Sequence, residues 1–497
     1  MVDSEEFDVI VVGGGPAGST LSALVTMRAA RVLLLEREFF PRYQIGESLL
    51  PSTVHGVCRM IGVTEELEKA GFPIKRGGTF RWGSRPEPWT FSFAVSPRVA
   101  SPTSFAYQVE RAKFDKILLD NAARLCVDVR QGCTVQDVLD DGERVHGVRY
   151  TDSDGKEHLA QARFVVDASG NTSRLHTKTG GKREYSEYFR SLALFGYFEG
   201  GKRLPEPISG NILSVAFDSG WFWYIPLSDK LTSVGAVVHR SMAEKVQGDP
   251  EQALMALIKE CPLITEYLEN ATRVTEGRYG KLRVRKDYSY HNTSFWKPGL
   301  ILIGDAACFV DPVFSSGVHL ATYSALLAAR SINSIMSGTV SEETALREFE
   351  ARYRREYGVF YEFLTSFYQM HRDENSYFWE AKKVTNSEHV TEFEAFVELV
   401  AGVSSNESAL VEAATLVEQF KSRTEELSTA VDKIADGSPS GSSSMLKSAV
   451  VKQAMQEGSQ VQMRALLGKD AAQEAPLFPG GLVPSLDGLS WEASTHA

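Results

Sequence analysis

Cysteine is scarce and scattered in this chain: five in 497 residues, at Cys58, Cys126, Cys133, Cys261 and Cys308, with no C-x-x-C pair. That pattern excludes a disulfide framework or a zinc ribbon and fits a reducing, cytoplasmic setting. No apolar run reaches the roughly 20 residues that a membrane span requires. Acidic residues precede a core-like strand that begins by about residue 7, so no signal peptide is expected. Cations are not in excess either. Against 64 Asp and Glu stand 53 Lys and Arg, a net charge of -11, which excludes a general nucleic-acid binder because phosphate neutralisation needs clustered Lys and Arg. No internal repeat of fixed period occurs. With 43% apolar and 24% charged residues the chain is globular, and its length predicts two or three domains rather than one core.

What is present is organised around Asp8-Val-Ile-Val-Val-Gly-Gly-Gly-Pro-Ala-Gly18. A buried parallel strand runs into glycines at 13, 15 and 18 in the G-x-G-x-x-G order, and a helix follows. Gly13 permits the sharp turn, Gly15 lets a pyrophosphate approach bare backbone, and Gly18 lets the helix pack on the strand. The helix start, with Ala17, then faces the phosphates. A second strand, Arg31 to Glu36, ends in the acid that a ribose hydroxyl needs, with Arg37 beside it. These pieces together predict dinucleotide binding. The following loop, Phe39 to Pro51, lies past the carboxyl end of that strand, where open parallel sheets meet their ligands, so Arg42, Glu47 and Ser48 are candidate contacts. Arg111, at the start of the next helix, is a further one.

The predicted organisation is α/β: a Rossmann-type domain built from residues 1–75, 107–184 and 281–340, a β-rich substrate domain inserted as 76–106 and 185–280, and a helical region over 341–497. Alternating apolar and polar residues mark the inserted strands, while Ala162 to Asp167 and Leu300 to Ile303 read as further buried strands of the first domain. A helix is expected through His55 to Ile61, and another over 250–270. The Gly/Ser-rich stretch at 436–444 reads as a flexible linker.

Four more segments carry chemistry. Asp167-Ala-Ser-Gly170 and Gly304-Asp305-Ala306 each close an apolar strand. In Gly220-Trp-Phe-Trp-Tyr-Ile-Pro226, Trp221 and Trp223 fall on one face of a strand and make an indole wall, an arrangement that by itself also describes ordinary core. Lys75 lies in Gly71-Phe-Pro-Ile-Lys-Arg-Gly-Gly-Thr79, where a solvated loop lysine is the plain reading. Phe309-Val-Asp-Pro-Val-Phe-Ser-Ser-Gly317 leads into a long helix whose first amides, on Ser316 and Gly317, offer an anion site.

With these motifs, the chain resembles the flavoprotein monooxygenase superfamily and, within it, the flavin-dependent halogenases. G-W-x-W-x-I-P and F-x-x-P-x-x-S-x-G are present at every fixed position, and the likeness covers roughly residues 5 to 400. The resemblance implies FAD as the cofactor, reduced by a separate flavin reductase. Asp305 would bind its ribityl chain, and Pro312 and the Gly317 helix would face its ring. Chloride would sit at Ser316 and Gly317, Trp221 and Trp223 would part flavin from substrate, and Lys75 would hold hypochlorous acid or form a chloramine with it. Arg76 takes that place if the register slips. Tryptophan halogenases carry a Glu immediately before the motif's serine; here that position is Phe314, so the expected substrate shifts from indole to a self-activated ring, a phenol (a tyrosyl group) or a pyrrole. The likeness is closest to a branch with carrier-protein-tethered substrates in natural-product biosynthesis. Arg352, Arg354, Arg355, Lys382 and Lys383 are then either a docking patch or a solvated helix face. Two rivals share the fold: an aromatic hydroxylase, which would not need halide, and a FAD-binding protein without turnover.

Overall fold

The computed structural model describes residues 5–82, 87–99, 102–286, 288–369, 392–405, 407 and 476–493. Its first sheet has the strand order Trp296–Lys297, Leu300–Leu302, Glu157–Asp167, Glu5–Val12, Val32–Glu36, Asp128–Gln131. The last five pair in parallel. Such strands are covered on both faces and therefore read as continuous apolar runs, as Val32 to Leu35 and Leu300 to Leu302 do. Two strands, Thr134–Asp140 and Val145–Thr151, extend from Glu157–Asp167 as an antiparallel meander. Helices Pro16–Thr26, Arg111–Arg124 and Ser316–Met336 cover one face and share a single apolar core with it.

The second sheet runs Thr272–Arg273, Ser191–Glu199, Leu231–His239, Gly220–Pro226, Ile212–Phe217, Gly77–Arg81, Trp89–Ser92. Gly77–Arg81 joins it by parallel pairing with Ile212–Phe217, so chain from before and after the intervening α/β segment meets in one layer. The period of two sorts its side chains. Trp221, Trp223 and Ile225 join the core shared with the first sheet, while Phe222 and Tyr224 turn to helix Pro250–Lys259 on the opposite face.

Two helical expectations are refined. The segment after Pro51 winds as a π-helix, Ser52–Cys58. The helix expected over 250–270 is two, Pro250–Lys259 and Pro262–Tyr267, because Pro262 lacks the N–H that continuation requires. From the C-terminal region the structure describes helices Glu342–Gln369 and Glu392–Ala401 and a hairpin, Leu482–Pro484 with Trp491–Ala493. That hairpin clasps helix Ser316–Met336: Trp491 donates its indole N–H to Ser331 at 2.9 Å, and the fully buried Arg330 binds Gly488 O and both oxygens of Glu407. The linker expected at 436–444 lies outside the described residues. None of the described helices is long and apolar enough to cross a membrane.

Candidate active site

One cavity of about 620 Å³ lies between the two sheets. At one end it is lined by Gly13, Gly15, Ala17, Glu36 and Arg37, and elsewhere by Arg42, Ser48, Arg111, Asp305, Pro312 and Gly317. Trp221 and Trp223 line it as well. Residues separated by some 300 positions in the chain thus share one wall, because all the parallel strands end at the same edge.

The glycine turn is tight for stated reasons. Gly13 has φ +104°, and a Cβ there would lie 2.6 Å from Ala168 O. Gly18 does not line the cavity but supports the turn: a Cβ on it would fall 1.9 Å from Gly13 O. At Gly15 the only neighbour is the flexible guanidinium of Arg42, at 3.4 Å, which leaves its backbone open to a ligand. Glu36 is 5% exposed; its Oε2 accepts from Gly14 N–H at 2.7 Å and its Oε1 from Glu38 N–H at 2.8 Å. The acid therefore shapes the loop, and each oxygen retains a lone pair for a ribose hydroxyl. Arg42 and Arg111 are held together by a buried carboxylate, Asp115, at 3.0 and 2.7 Å. Asp115 was not singled out from the sequence, although its i+4 spacing from Arg111 is the signal that marks it. Asp305 is half-buried, and burial pushes its carboxyl up to about 6 against the pull of Arg111, Arg285 and Arg183. Asp167, by contrast, turns inward to accept from Ser169 and Ser173, so it fixes the turn while Ala168 to Gly170 form the wall.

A glycine-bare turn at a helix start, cations, an acid for sugar hydroxyls and a Ser48 hydroxyl with no partner among the described residues fit an elongated dinucleotide such as FAD. Beyond it stands the aromatic wall. The rings of Trp221 and Trp223 are 6.2 Å apart, and Trp223 donates its indole N–H to Ser233 at 3.1 Å. Trp82 lies 6.2 Å from Trp221 on the side continuing to Phe367, Phe314 and Phe80.

Lys75 is 3% exposed and does not line the cavity. Its two-residue strand pairs with Ala106–Tyr107, which turns Ile74 outward and Lys75 inward; Arg76, the alternative, is exposed. The Lys75 ammonium donates to Leu49 O at 3.0 Å, reaches Ser315 Oγ at 3.5 Å and lies 5.6 Å over the Phe93 ring. No acid lies against it among the described residues, and burial brings its pKa down to about 7. Ser315, the fixed serine of F-x-x-P-x-x-S-x-G though not among the expected site residues, connects Lys75 to the cavity: it lines the cavity, its hydroxyl faces Lys75, and with φ +63° it starts helix Ser316–Met336. Ser316 is buried behind it, and Gly317 returns to the cavity wall.

Phe314 is 3% exposed among Phe80, Phe363, Phe367 and Phe396, with ring separations of 4.7 to 6.0 Å. The basic patch is corrected in part. Arg352 and Arg354 turn back onto Glu348 and Glu350, each at 2.6 Å, and onto Leu482 O and Asn292 O, because i,i+4 acids on the same helix capture them. Lys382 and Lys383 lie outside the described residues.

A cavity that fits FAD, lined by two tryptophans and with a buried lysine one side chain away, defines a class. The chain belongs to the tryptophan halogenase family, whose profile matches residues 8–100 and 95–428, and is a flavin-dependent halogenase that uses FAD and a halide. Among solved structures it is similar to the myxobacterial chondrochloren halogenase CndH, an FAD-dependent halogenase, at 53% identity and a TM-score of 0.74, covering 98% of this chain and 100% of that one. Among curated proteins it is 34% identical to a tryptophan 2-halogenase of Chondromyces crocatus over 76% of this chain and 71% of the relative. It is 30% identical to a Pseudomonas fluorescens chlorinase of pyrrole-2-carbonyl-[peptidyl-carrier protein], over 74% of this chain and 85% of the relative.

Proposed function

We propose that this halogenase chlorinates a phenolic ring, a tyrosyl group presented on a carrier protein, with a separate reductase supplying reduced FAD. The observation that carries this reading is Lys75, a desolvated amine one side chain away from the FAD cavity. Bound reduced FAD supplies, with dioxygen, the oxidising power that turns chloride into hypochlorous acid. The chain does the rest. Glycines 13, 15 and 18 with Glu36 hold the adenosine end, and Asp305 accepts from the ribityl chain. The Ser316 and Gly317 amides hold chloride at a helix start. Trp221 and Trp223 keep the aromatic ring from the flavin. The Lys75 amine, whose pKa burial lowers, attacks hypochlorous acid in its neutral form: N–Cl forms, Cl–O and one N–H break, and the hydroxide leaves with that proton as water. The ring then takes the chlorine as N–Cl breaks and its own proton returns to the amine.

Phe314 supports a self-activated ring, since no carboxylate stands in that position to assist an indole. The carrier draws support from the Pseudomonas fluorescens relative, which acts on a carrier-bound pyrrole. Mass spectrometry of products from free and carrier-bound phenols and pyrroles tests the whole reading. Chlorinated phenol is expected only when chloride and a reductase are both supplied, and faster from the carrier-bound form. A hydroxylated product in the absence of halide would establish the hydroxylase instead, and equal rates on free and bound phenol would remove the carrier.

Introducing the missing acid is expected to fail. Phe314→Glu places an unpaired charge among four phenylalanines and should cost about 3 kcal/mol or more, read by urea unfolding against Phe314→Leu, with no gain of indole chlorination. An indole product from the Phe314→Glu protein would show that this position alone selects the ring.

A further inference from the structure

Glu47 lies in the loop after the second strand, is 2% exposed, and forms part of the cavity wall. Its Oε1 accepts from the Tyr197 hydroxyl at 2.6 Å, and that hydroxyl lies 2.8 Å from the hydroxyl of Tyr43. Tyr197 is fully buried, whereas Tyr43 is half-buried with the Arg283 guanidinium 3.5 Å over its ring. The other carboxyl oxygen, Oε2, is buried and makes no hydrogen bond among the described residues. A chain of exchangeable protons, Glu47 to Tyr197 to Tyr43, therefore leads away from the cavity wall, and its inner end carries an oxygen that makes no hydrogen bond among the described residues.

The stoichiometry of halide oxidation gives such a chain a task. Making hypochlorous acid in the cavity follows FADH2 + O2 + Cl⁻ + H⁺ → FAD + HOCl + H2O, so each turnover draws one proton from outside. Ring substitution, ArH + HOCl → ArCl + H2O, draws none. We propose that Glu47 delivers the proton of halide oxidation and that Tyr197 and Tyr43 return one to it from solvent, an inference that rests on the halogenase reading above. In this step the carboxyl O–H breaks and its proton goes to the oxygen that leaves as water. The carboxylate then takes the Tyr197 proton at Oε1, Tyr197 takes that of Tyr43, and Tyr43 takes one from water.

The surroundings suit a group that must both give and regain a proton near neutrality. Burial pushes the Glu47 carboxyl up to about 7; the Tyr197 and Ser233 hydroxyls and the Arg111 guanidinium pull down, and Glu110 pushes up. Tyr43 and Tyr279 also face it. Asp305, another acid of the cavity wall, is faced by Arg111, Arg285 and Arg183, and among the described residues its carboxyl accepts from no hydroxyl. Ser233 also accepts the indole N–H of Trp223, so the aromatic wall and the carboxyl share a neighbour.

The test is the visible spectrum of bound oxidised FAD, titrated from about pH 5 to 9 in wild type, Glu47→Gln and Tyr197→Phe. Wild type is expected to show a one-proton step near 7, absent from Glu47→Gln and moved to higher pH in Tyr197→Phe, which loses a hydroxyl that favours the carboxylate. With substrate, Glu47→Gln should lower kcat about 100-fold, with KM for chloride unchanged and the alkaline limb of the pH profile removed. An unaltered titration, or kcat within about twofold of wild type, overturns the proposal. Should Glu47→Gln not fold, an unmoved step in Tyr197→Phe overturns it equally. Absence of any chlorinated product from wild type would refute the halogenase reading, while the flavin titration would still report on Glu47.

Discussion

Lys75→Met is expected to abolish ring chlorination, by at least about a thousandfold in kcat, while FAD stays bound and the fold stays intact. The separation of effects follows from the lysine's setting. Lys75 is outside the cavity wall, so its loss removes nothing that touches FAD. Its charge is buried with no acid against it among the described residues, so methionine of similar length relieves a cost rather than creating one. The sign with pH is fixed by the same fact. The folded pKa, about 7, lies below the ordinary 10.5, so between these values the unfolded chain binds the proton and the folded chain does not. Wild-type stability therefore rises over that range, and the advantage of Lys75→Met, full below pH 7, shrinks across it. Thermal unfolding at several pH values and product mass spectra check both halves. A Lys75→Met protein that chlorinates normally with FAD bound would remove the lysine from the chemistry.

The glycine turn yields the second large effect, as a contrast between neighbours. Gly18→Ala puts a methyl 1.9 Å from Gly13 O, against backbone that cannot swing aside. Helix Pro16–Thr26 must then lift from its strand, and the variant is expected to lose FAD and to be destabilised by about 1–3 kcal/mol even without it. Gly15→Ala meets only the Arg42 guanidinium at 3.4 Å, so the FAD-free protein should unfold at the wild-type temperature. It should nevertheless bind FAD at least about tenfold more weakly, the methyl standing where the pyrophosphate approaches. Calorimetry of both variants with and without FAD separates a fold defect from a binding defect. Equal FAD affinity in Gly15→Ala would mean that the pyrophosphate does not pass over this residue.

Local rules carried the α/β fold a long way. Buried parallel strands announce themselves as apolar runs, and Gly13 and Gly18 sit in a turn whose geometry admits little else. The alternation of Trp221 and Trp223 with Phe222 and Tyr224 followed from strand period alone. Less was legible where a side chain's partner is distant in sequence. The tie between Ser315 and Lys75 emerges only when a strand 240 residues earlier brings the lysine to it, and Tyr197 lies 150 residues from Glu47. Arg352 and Arg354 of helix Glu342–Gln369 show the opposite: the acids that capture them, Glu348 and Glu350, stand at i,i+4 spacing that was already legible.

The clasp on helix Ser316–Met336 sets a schedule for the polypeptide as it is made. The helix that presents Gly317 to the cavity also carries Arg330, whose buried charge is neutralised by Glu407, 77 residues later, and whose Nε is satisfied by Gly488, 158 residues later. Until those residues leave the ribosome, the guanidinium belongs in water, and the helix has reason to stay off its final seat. FAD binding during synthesis is thus expected to wait for the hairpin at Leu482–Ala493, although every residue proposed to touch the cofactor has emerged long before.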